Sequence, residues 1–252
     1  MKLQVLGSAG AELPDFRPPA FLLDDQLLLD AGSIGSVLSE EEQWKIKTIF
    51  ITHSHLDHIK SIPALADNII IMNQLHTVSV LSTAEVISAL QTHMFNNVIW
   101  PDFTQIPTAE NPVIKFTAIN PYQEYIVNEY RVTAIPVNHT VPTVGYVVKS
   151  AGKTVVYTGD TGPTEEIWKH CSNADVLIVE VSFPDSMKDL AQLTKHLTAS
   201  MLVEELANID VLPKRILVTH PKPQYYATIL KEINGLGIPC VELLRDGSVF
   251  DI

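Results

Sequence analysis

The stretch that decides the fold is His53-Ser54-His55-Leu56-Asp57-His58, which contains four side chains able to bind a metal ion. It follows the apolar run TIFIT, whose β-branched and aromatic residues predict a buried strand. Alternate side chains of an extended backbone share a face, so His53 and His55 can point toward one ion. A tighter turn after them would direct Asp57 and His58 toward a neighbouring point. The spacing therefore predicts two adjacent cations, and the alternative is a polar loop in which histidines merely cluster.

The ligand chemistry of this stretch favours two Zn²⁺ ions. Imidazole and carboxylate groups together suit Zn²⁺, and Mn²⁺ and iron are also compatible with them. The chain contains only two cysteines, Cys171 and Cys240, and neither is near the stretch. Nothing in the sequence suggests that they pair, which agrees with a reducing compartment.

Length and composition limit the classes of function. The 252 residues suffice for one large domain or two fused halves, and 46% hydrophobic with 18% charged residues is typical of a globular protein. The net charge of −12 argues against a surface that grips a nucleic-acid backbone. It does not exclude an anionic substrate, because two divalent ions would dominate the local field. No signal peptide or transmembrane span is evident, so we expect a soluble, cytoplasmic protein.

Strands and helices alternate along the rest of the chain. Apolar runs predict strands over residues 2–6, 20–23, 27–30, 69–72, 77–81, 113–118, 130–137, 146–149, 154–158 and 176–181. Helices are predicted over residues 39–44, 59–66, 82–95, 161–170, 198–207 and 224–233. Capping boxes at Ser39/Glu42 and Ser82/Glu85 open two of them, and a turn at 245–248 predicts a closing hairpin. The alternation indicates an α/β layered architecture.

Four apolar strands each lead to a residue that can bind a metal ion. The strand sequences KTIFIT, VTAIPVN, KTVVYTG and RILVT are followed by His53, His139, Asp160 and His220. In open α/β sheets, ligands bind at the carboxyl ends of the strands. A single histidine in such a place is more often structural. The shared position of these four residues favours metal coordination.

The chain resembles the metallo-β-lactamase superfamily in the order and strand-end position of seven residues, His53, His55, Asp57, His58, His139, Asp160 and His220. The resemblance spans residues 1–252 and implies a single domain with a four-layer αββα sandwich and a dinuclear metal site at one edge. It implies that His53, His55 and His139 bind the first ion. Asp57, His58 and His220 would bind the second ion, and Asp160 would bridge the two.

Further segments are similar to the class II cyclic-nucleotide phosphodiesterases. They are the aromatic stretch Phe95–Phe103, Glu180-Val181-Ser182-Phe183-Pro184 and Lys195-His196-Leu197-Thr198-Ala199. That family usually has Gly and Pro where this chain has Lys195 and Ala199. We expect Lys195 to add a charge beside the site, and Ala199 to remove a rigid helix start. Both departures bear on substrate preference more than on metal chemistry.

The resemblance implies hydrolysis of 3′,5′-cyclic nucleotides, cAMP or cGMP, to the 5′-monophosphate. A hydroxide bridging the ions would attack phosphorus, with Asp57 among the catalytic residues. His196, held by Glu180, would protonate the 3′ leaving oxygen. A tRNA 3′-processing endonuclease of the same superfamily has a similar Glu and His in these roles. The alternative for His196 is a histidine at a helix N-terminus, whereas a buried Glu180 needs a partner.

Three other functions are open. A tRNA 3′-processing-type endonuclease is disfavoured by the acidic charge balance and by the absence of a basic Gly/Pro-rich insertion. A lactamase, lactonase or thioesterase would need the same metal ligands but not the pair Glu180 and His196. A non-enzymatic module would gain nothing from a complete ligand set. We therefore expect a small phosphodiester as the partner, without membrane or nucleic acid, and a homodimer is left open.

Other residues carry weaker signals. The aromatic side chains of Phe95, Trp100 and Phe103 could stack a purine base, although such residues more often belong to a core or a dimer contact. Arg17 could bind a phosphate or solvate its loop. Asp30 follows an apolar strand and is expected to hydrogen-bond a ligand histidine from behind.

Overall fold

The computed structural model describes residues 1–72 and 76–252, and within them two seven-stranded sheets face each other. The first sheet contains β1 (Lys2–Gly7), β2 (Ala20–Leu23), β3 (Leu27–Leu29), β4 (Thr48–Phe50), β5 (Val78–Ser82), β6 (Ile114–Ala118) and β14 (Val249–Asp251). Its spatial order is β14-β1-β2-β3-β4-β5-β6. The second contains β7 (Glu124–Val127), β8 (Tyr130–Pro136), β9 (Val144–Ser150), β10 (Lys153–Tyr157), β11 (Val176–Glu180), β12 (Arg215–Thr219) and β13 (Val241–Leu243). Its order is β13-β12-β11-β10-β9-β8-β7.

Helices cover the outer face of each sheet. On the first sheet lie α1 (Glu40–Gln43), α2 (Leu56–Ile59), α3 (Ile62–Ile71) and α4 (Ala84–His93). On the second lie α5 (Lys188–Thr194), α6 (Ala199–Leu206) and α7 (Tyr226–Gly235). Short 3₁₀ helices occupy Glu166–His170, Asp185–Met187 and Pro223–Tyr225. In the described part of the chain, no helix is long and apolar enough to cross a membrane.

The core between the sheets is built from alternate strand side chains. Phe50 packs edge-to-face on Tyr146 with ring centroids 5.2 Å apart, and Phe21 packs in the same way on Tyr157 at 5.0 Å. Each pair joins the first sheet to the second. Two further apolar cores fill the space between each sheet and its helices. The predicted αββα sandwich is confirmed.

Strand direction brings the site residues to one edge. Strands β3 to β6 are mutually parallel, as are β10 to β13. Strand β8 runs antiparallel to β9, which runs antiparallel to β10, so β8 ends at the same edge as β10 and β12. The sheets meet there through a hydrogen bond from Val144 N to Thr52 O of 3.1 Å. The residues that follow β4, β8, β10 and β12 are therefore neighbours.

Three predicted elements have a different form in the structure. The helix predicted over 59–66 is divided between α2, which ends at Ile59, and α3, which begins at Ile62. The strand predicted over 69–72 is wrong, because Ile69 belongs to α3. Ile62, Leu65, Ala66 and Ile69 are buried at helical spacing, and this periodicity outweighs the β-branched run at its end. The helix predicted over 161–170 is reduced to the 3₁₀ helix Glu166–His170.

Local hydrogen bonds correct the remaining predictions. The capping box of Ser39 and Glu42 is present, with Ser39 N donating to Glu42 Oε2 at 2.8 Å. Ser82 is not a cap, because its hydroxyl donates to Ile51 O at 2.6 Å and Thr83 is the N-cap of α4. The turn at 245–248 does not close a hairpin, since β13 pairs with β12 and β14 pairs with β1. That turn crosses from one sheet to the other.

Candidate metal centre

The structure brings all seven predicted metal-binding residues together at one edge of the sandwich. The first group consists of His53, His55, His139 and Asp160. The second group consists of Asp57, His58 and His220. Within each group, the atoms that could bind an ion lie within 4.8 Å of one another. These two groups correspond to the division that the family resemblance implies, with Asp160 next to both. Asp160 and His220 also form a third group with His196 at the same spacing.

Three imidazoles converge in the first group. Nδ1 of His55 lies 3.0 Å from Nε2 of His53 and 3.3 Å from Nε2 of His139. Nitrogen ligands about 2 Å from one tetrahedral Zn²⁺ are separated by roughly 3.3 Å. His53 follows β4, and His55 is the N-cap of α2 with an extended backbone. The two rings therefore approach the same point from the short segment that joins β4 to α2. The spacing of the nitrogen atoms suits a single ion.

The second group is assembled by the first turn of α2 and the end of β12. Oδ2 of Asp57 lies 3.4 Å from Nε2 of His220 and 3.9 Å from Nε2 of His58. Asp160, which follows β10, lies between the groups. Its Oδ2 is 3.3 Å from Nε2 of His220 and 3.7 Å from Nε2 of His53, and its Oδ1 is 3.4 Å from Nε2 of His58. One carboxylate can therefore reach an ion in either group.

Buried polar atoms without partners meet in this centre. Nε2 of His58, Nε2 of His220 and Oδ1 of Asp160 are buried and have no hydrogen-bond partner among residues 1–72 and 76–252. Buried polar atoms in proteins are nearly always satisfied. A cation would satisfy both nitrogens and the carboxylate oxygen at once. The donor set, nitrogen and oxygen without sulfur, fits Zn²⁺ and also Mn²⁺ or iron.

The electrostatics of the first group favour its ligand form. Burial lowers the pKa of His53, His55 and His139, which keeps their rings neutral and their nitrogen lone pairs available. Burial alone would raise the pKa of Asp160, but the neighbouring His220 and His58 reverse this and hold it well below its usual value. The carboxylate is therefore ionised.

The second group combines a carboxylate with an imidazole held between charges. Burial would raise the pKa of Asp57, but its contacts with His220 and His58 lower it. Burial alone lowers the pKa of His58, yet the carboxylates of Asp160 and Asp30 outweigh it and raise this pKa well above its usual value. The surroundings of His58 therefore attract positive charge, which a cation would supply in place of a proton.

Four of the candidate ligand histidines also form hydrogen bonds through the ring nitrogen that faces away from the centre. Nδ1 of His58 lies 2.7 Å from Oδ2 of Asp30, as predicted. Nδ1 of His53 lies 3.0 Å from the Thr52 hydroxyl. Nδ1 of His139 lies 3.0 Å from the Lys195 carbonyl, and that of His220 lies 2.7 Å from Ser182 Oγ. Such partners fix the ring orientation and the tautomer that binds a metal.

Glu180 and His196 form a buried pair beside the centre. Oε1 of Glu180 lies 2.6 Å from Nδ1 of His196, and the Thr161 amide donates to the same oxygen at 2.8 Å. The His196 ring stacks on the His220 ring with centroids 5.4 Å apart. Burial alone would lower the pKa of His196, but Glu180 outweighs it and the pKa is raised. The imidazole is thereby favoured in its protonated form.

The two departures from the phosphodiesterase motif have structural explanations. Lys195 has φ of 54°, a left-handed conformation in which glycine is least strained. Its ammonium does not point freely at the site, because it donates to the His139 carbonyl at 2.9 Å. Ala199 begins α6 without a proline, and the Thr198 hydroxyl caps that helix by accepting from Met201 N at 3.4 Å. The Thr198 cap therefore defines the start of α6 in place of the proline that the family motif usually has there.

Two residues near the centre were not assigned a role from the sequence. Ser182 contacts His220, His196 and Glu180. Its sequence signals are its place two residues after Glu180 at a strand end and its inclusion in the 180–184 segment that resembles the phosphodiesterases. Gly10 packs on His220, where a Cβ atom would lie 2.6 Å from Nδ1. The small-residue loop after β1 therefore makes room for a site histidine.

The weaker candidates have other positions. Phe95 and Phe103 are buried in the core between the first sheet and its helices, and Trp100 packs against that core. Their alternative interpretation as core residues is confirmed for this fold. Arg17 lies 3.4 Å from Asp246 through its Nε atom and lines a cleft of about 390 Å³.

Comparisons with known proteins agree with this geometry. The family model described as a beta-lactamase superfamily domain matches residues 33–220, more than half of the chain. The probable 3′,5′-cyclic-nucleotide phosphodiesterase of Yersinia pestis is 25% identical over 240 residues, covering 81% of this chain and 67% of that protein. Ribonuclease Z of Ignicoccus hospitalis is 23% identical over 274 residues, covering 88% of each. The structure of unliganded yeast PDE1 has a TM-score of 0.83 at 18% identity, covering 100% of this chain and 99% of that one.

Proposed function

This chain belongs to the metallo-β-lactamase superfamily, and from that premise we propose that it is a dinuclear metal-dependent phosphodiesterase. Its proposed substrates are 3′,5′-cyclic nucleotides, cAMP or cGMP, which it would convert to the 5′-monophosphate. The observation that carries this proposal is the buried contact between Glu180 and His196 beside the metal centre. A superfamily fold by itself supports several reactions, so the residues around the centre have to distinguish them.

The proposed metal ligands divide the work of holding two ions. His53, His55 and His139 would hold one, Asp57, His58 and His220 the other, and Asp160 both. When bound, two divalent ions supply positive charge to the phosphate oxygens and activate water. We propose Zn²⁺ as the resident metal, because the donors are imidazole and carboxylate groups. Residues 1–252 would act as one domain, since ligands come from both sheets.

His196 is the proposed proton donor to the leaving 3′ oxygen. Nδ1 of His196 faces Glu180, so the imidazolium keeps a second proton on Nε2 for transfer. A ribose alkoxide is a poor leaving group and needs that proton in the transition state. Glu180 acts as a positioning residue that holds the ring and favours its charged form. Thioester hydrolysis on the same ligands would not require this pair, because a thiolate leaves without a proton.

The space beside the centre suits a substrate of nucleotide size. A cleft of about 520 Å³ next to His139 is lined by Asn138, Thr140 and Lys195 among others. Ligand pockets for small molecules usually measure about 300 to 1,000 Å³. The net charge of −12 disfavours a long nucleic-acid backbone. A small phosphodiester is therefore the proposed partner.

A tRNA 3′-processing-type endonuclease is the second candidate. The similarity to Ribonuclease Z of Ignicoccus hospitalis covers 88% of this chain at 23% identity, compared with 81% at 25% identity for the Yersinia phosphodiesterase. The pair of Glu180 and His196 would serve a nuclease equally well, because both reactions expel a ribose oxygen. Substrate preference therefore has to be measured.

An activity panel on metal-loaded protein tests the proposal. The substrates are cAMP, cGMP, an aryl phosphodiester, a precursor tRNA, a β-lactam and a thioester. We expect hydrolysis of the cyclic nucleotides and the aryl phosphodiester, with loss of both activities in Asp160→Ala. Cleavage of the precursor tRNA alone would favour the nuclease. Turnover of the β-lactam or thioester without any phosphodiester would contradict the proposal.

A further inference from the structure

Ser182 lies between the candidate metal ligand His220 and the pair of Glu180 and His196. Its Oγ lies 2.7 Å from Nδ1 of His220, 2.7 Å from Oε2 of Glu180 and 3.2 Å from Nδ1 of His196. All these groups are buried, and Ser182 and Glu180 are fully so. One hydroxyl therefore contacts a candidate metal ligand, the proposed proton donor and the carboxylate that holds that donor.

The direction of each hydrogen bond follows from the donors around Glu180. Its Oε1 faces the Thr161 amide and Nδ1 of His196, and its Oε2 faces the Leu197 amide at 3.3 Å and the Ser182 hydroxyl. A carboxylate surrounded by donors accepts only, so Ser182 donates its single proton to it. The Ser182 oxygen then accepts from His220 Nδ1.

This direction determines the tautomer of His220. With its proton on Nδ1, the ring has a bare Nε2, and that atom is buried without a partner among the residues that the structure describes. A bare Nε2 is the form that binds a cation. The same Glu180 carboxylate thus serves His196 directly and His220 through the serine.

We propose that Ser182 is a positioning residue that couples the second metal group to the proton donor. The link runs from His220 Nδ1 to Ser182 Oγ, from there to Glu180, and from Glu180 to His196 Nδ1. Its catalytic meaning rests on the proposed phosphodiesterase function, but the coupling itself is a property of the site. Loss of the hydroxyl leaves His220 Nδ1 and one lone-pair direction of Glu180 unsatisfied.

The surroundings leave little room for another group to replace the hydroxyl. Gly10 packs against the His220 ring, and the His220 amide donates to Ser8 O at 2.6 Å. Phe183 follows Ser182 directly, and its ring lies 5.8 Å from the His196 ring. The hydroxyl is therefore built into a closed contact among fixed elements.

The first test compares Ser182→Ala with Ser82→Ala, using Zn²⁺ affinity measured by competition with a chelator. Ser82 is a matched control, because its buried hydroxyl donates to Ile51 O and touches none of the site residues. We expect Ser182→Ala to weaken one of two Zn²⁺ sites by about 10- to 100-fold. Unchanged affinity in Ser182→Ala, or an equal loss in Ser82→Ala, would overturn the proposal.

The second test examines whether the coupling passes through Glu180. Glu180→Gln should weaken the same Zn²⁺ site, because Glu180 Oε2 accepts from Ser182 and Ser182 Oγ accepts from His220 Nδ1. In the Ser182→Ala background, Glu180→Gln should have little further effect on Zn²⁺ affinity. Additive losses would mean that the two residues act separately and would contradict the link.

The third test observes His196 without any substrate. Ring ¹⁵N signals of the Zn²⁺-loaded protein should shift for His196 in Ser182→Ala and stay unchanged in Ser82→Ala. An unaltered His196 signal would remove this residue from the link. These measurements use no turnover, so a wild-type protein without phosphodiesterase activity would defeat the proposed function and leave the Ser182 coupling to be decided by them.

Discussion

Two buried carboxylates, Asp30 in the first half and Glu180 in the second, hold site histidines in similar ways. Oδ2 of Asp30 lies 2.7 Å from Nδ1 of His58, and Oε1 of Glu180 lies 2.6 Å from Nδ1 of His196. Both carboxylates are 0% exposed and follow or end a buried strand. A carboxylate on Nδ1 fixes the tautomer in each case, so the local geometry alone does not separate the two roles.

The difference lies at the opposite side of each ring. Nε2 of His58 is buried 3.4 Å from Oδ1 of Asp160 and 3.9 Å from Oδ2 of Asp57, a position that suits a metal ligand. His196 is 8% exposed and lies outside the two groups that contain the seven candidate ligands, although it forms a third group with Asp160 and His220 whose nitrogen and oxygen atoms lie within 4.8 Å of one another. Under the proposed function, the same pairing would orient a metal ligand in one half and a proton donor in the other. The roles would then differ through what each ring faces rather than through the carboxylate that holds it.

Asp30 also connects the two sheets of the sandwich, whereas Glu180 does not. Asp30 accepts from the Thr52 amide at 2.8 Å and from the Tyr157 hydroxyl at 2.7 Å, which ties the first sheet to the second. Burial, followed by the nearby Asp30 charge, raises the pKa of Tyr157 well above its usual value and keeps this hydroxyl a donor. Glu180 accepts mainly from its own half.

The largest expected effect is the loss of stability in Asp30→Ala. The change leaves His58, Thr52 and Tyr157 with buried donors that lack an acceptor. We expect the free energy of unfolding to fall by about 3 to 5 kcal/mol, measured by urea denaturation of metal-free protein. Asp30→Asn keeps the side-chain volume and should cost less. A loss below about 1 kcal/mol in Asp30→Ala would mean that the hydrogen bonds of Asp30 between the two sheets contribute little to the free energy of unfolding.

The second prediction tests whether His196 donates a proton, in contrast to the metal-ligand role proposed for His58. His196→Ala should lower kcat for a cyclic nucleotide by about 10²- to 10⁴-fold, because the ribose oxygen then leaves without a proton. An activated aryl phosphodiester should be affected much less, since aryl oxide leaves readily. Metal content should stay near that of the wild type, as determined by elemental analysis. Equal losses on both substrates would place His196 outside proton transfer.

The third prediction concerns pH and Glu180→Gln. Activity that needs protonated His196 is lost as pH rises through the pKa of this residue. Burial lowers that pKa and Glu180 raises it by more, so removal of the carboxylate charge lowers the pKa. We expect the alkaline limb of the kcat/KM profile of Glu180→Gln to move to lower pH. A limb that stays in place would assign the titration to another group.

The smallest expected effect is that of Tyr157→Phe compared with Tyr146→Phe. Both hydroxyls are buried donors, to Asp30 at 2.7 Å and to the Ile51 carbonyl at 2.6 Å, so each change should cost about 1 kcal/mol of unfolding free energy. Only Tyr157→Phe should also weaken Zn²⁺ binding, because Asp30 orients His58. The chelator competition assay measures this. Equal Zn²⁺ affinities would limit the Asp30 contact to a structural role.

Much of the metal centre was predictable because it is encoded locally. The 53–58 stretch contains four of the candidate ligands within six residues, and His139, Asp160 and His220 each follow an apolar strand. The apolar pattern shows where each strand ends, and parallel strands end at the same edge of a sheet. The sequence therefore indicated that these residues would lie near one another. The grouping of the ligands in space agrees with this prediction, while their binding of metal remains a prediction.

The errors in secondary structure came from runs whose neighbours in space decide the outcome. Residues 69–72 have strand-forming side chains, yet they continue a helix whose buried face begins at Ile62. Ser82 has the spacing of a cap, but the Ile51 carbonyl of the adjacent strand takes its hydroxyl. Tertiary hydrogen bonds and packing outweigh local preference in both places.

By itself, the sequence determined the α/β layering, the strand ends where the site lies and the residues that could hold two ions, because hydrophobic period and ligand spacing are properties of short segments. The αββα sandwich was implied by the family resemblance. Only the tertiary structure decided which atoms touch. It joined Asp30 to His58 and Tyr157, turned the Lys195 ammonium toward a carbonyl, and put Ser182 between His220 and Glu180. Hydrogen bonds act over about 3 Å, and distances of that size between remote residues are set by packing of the whole chain.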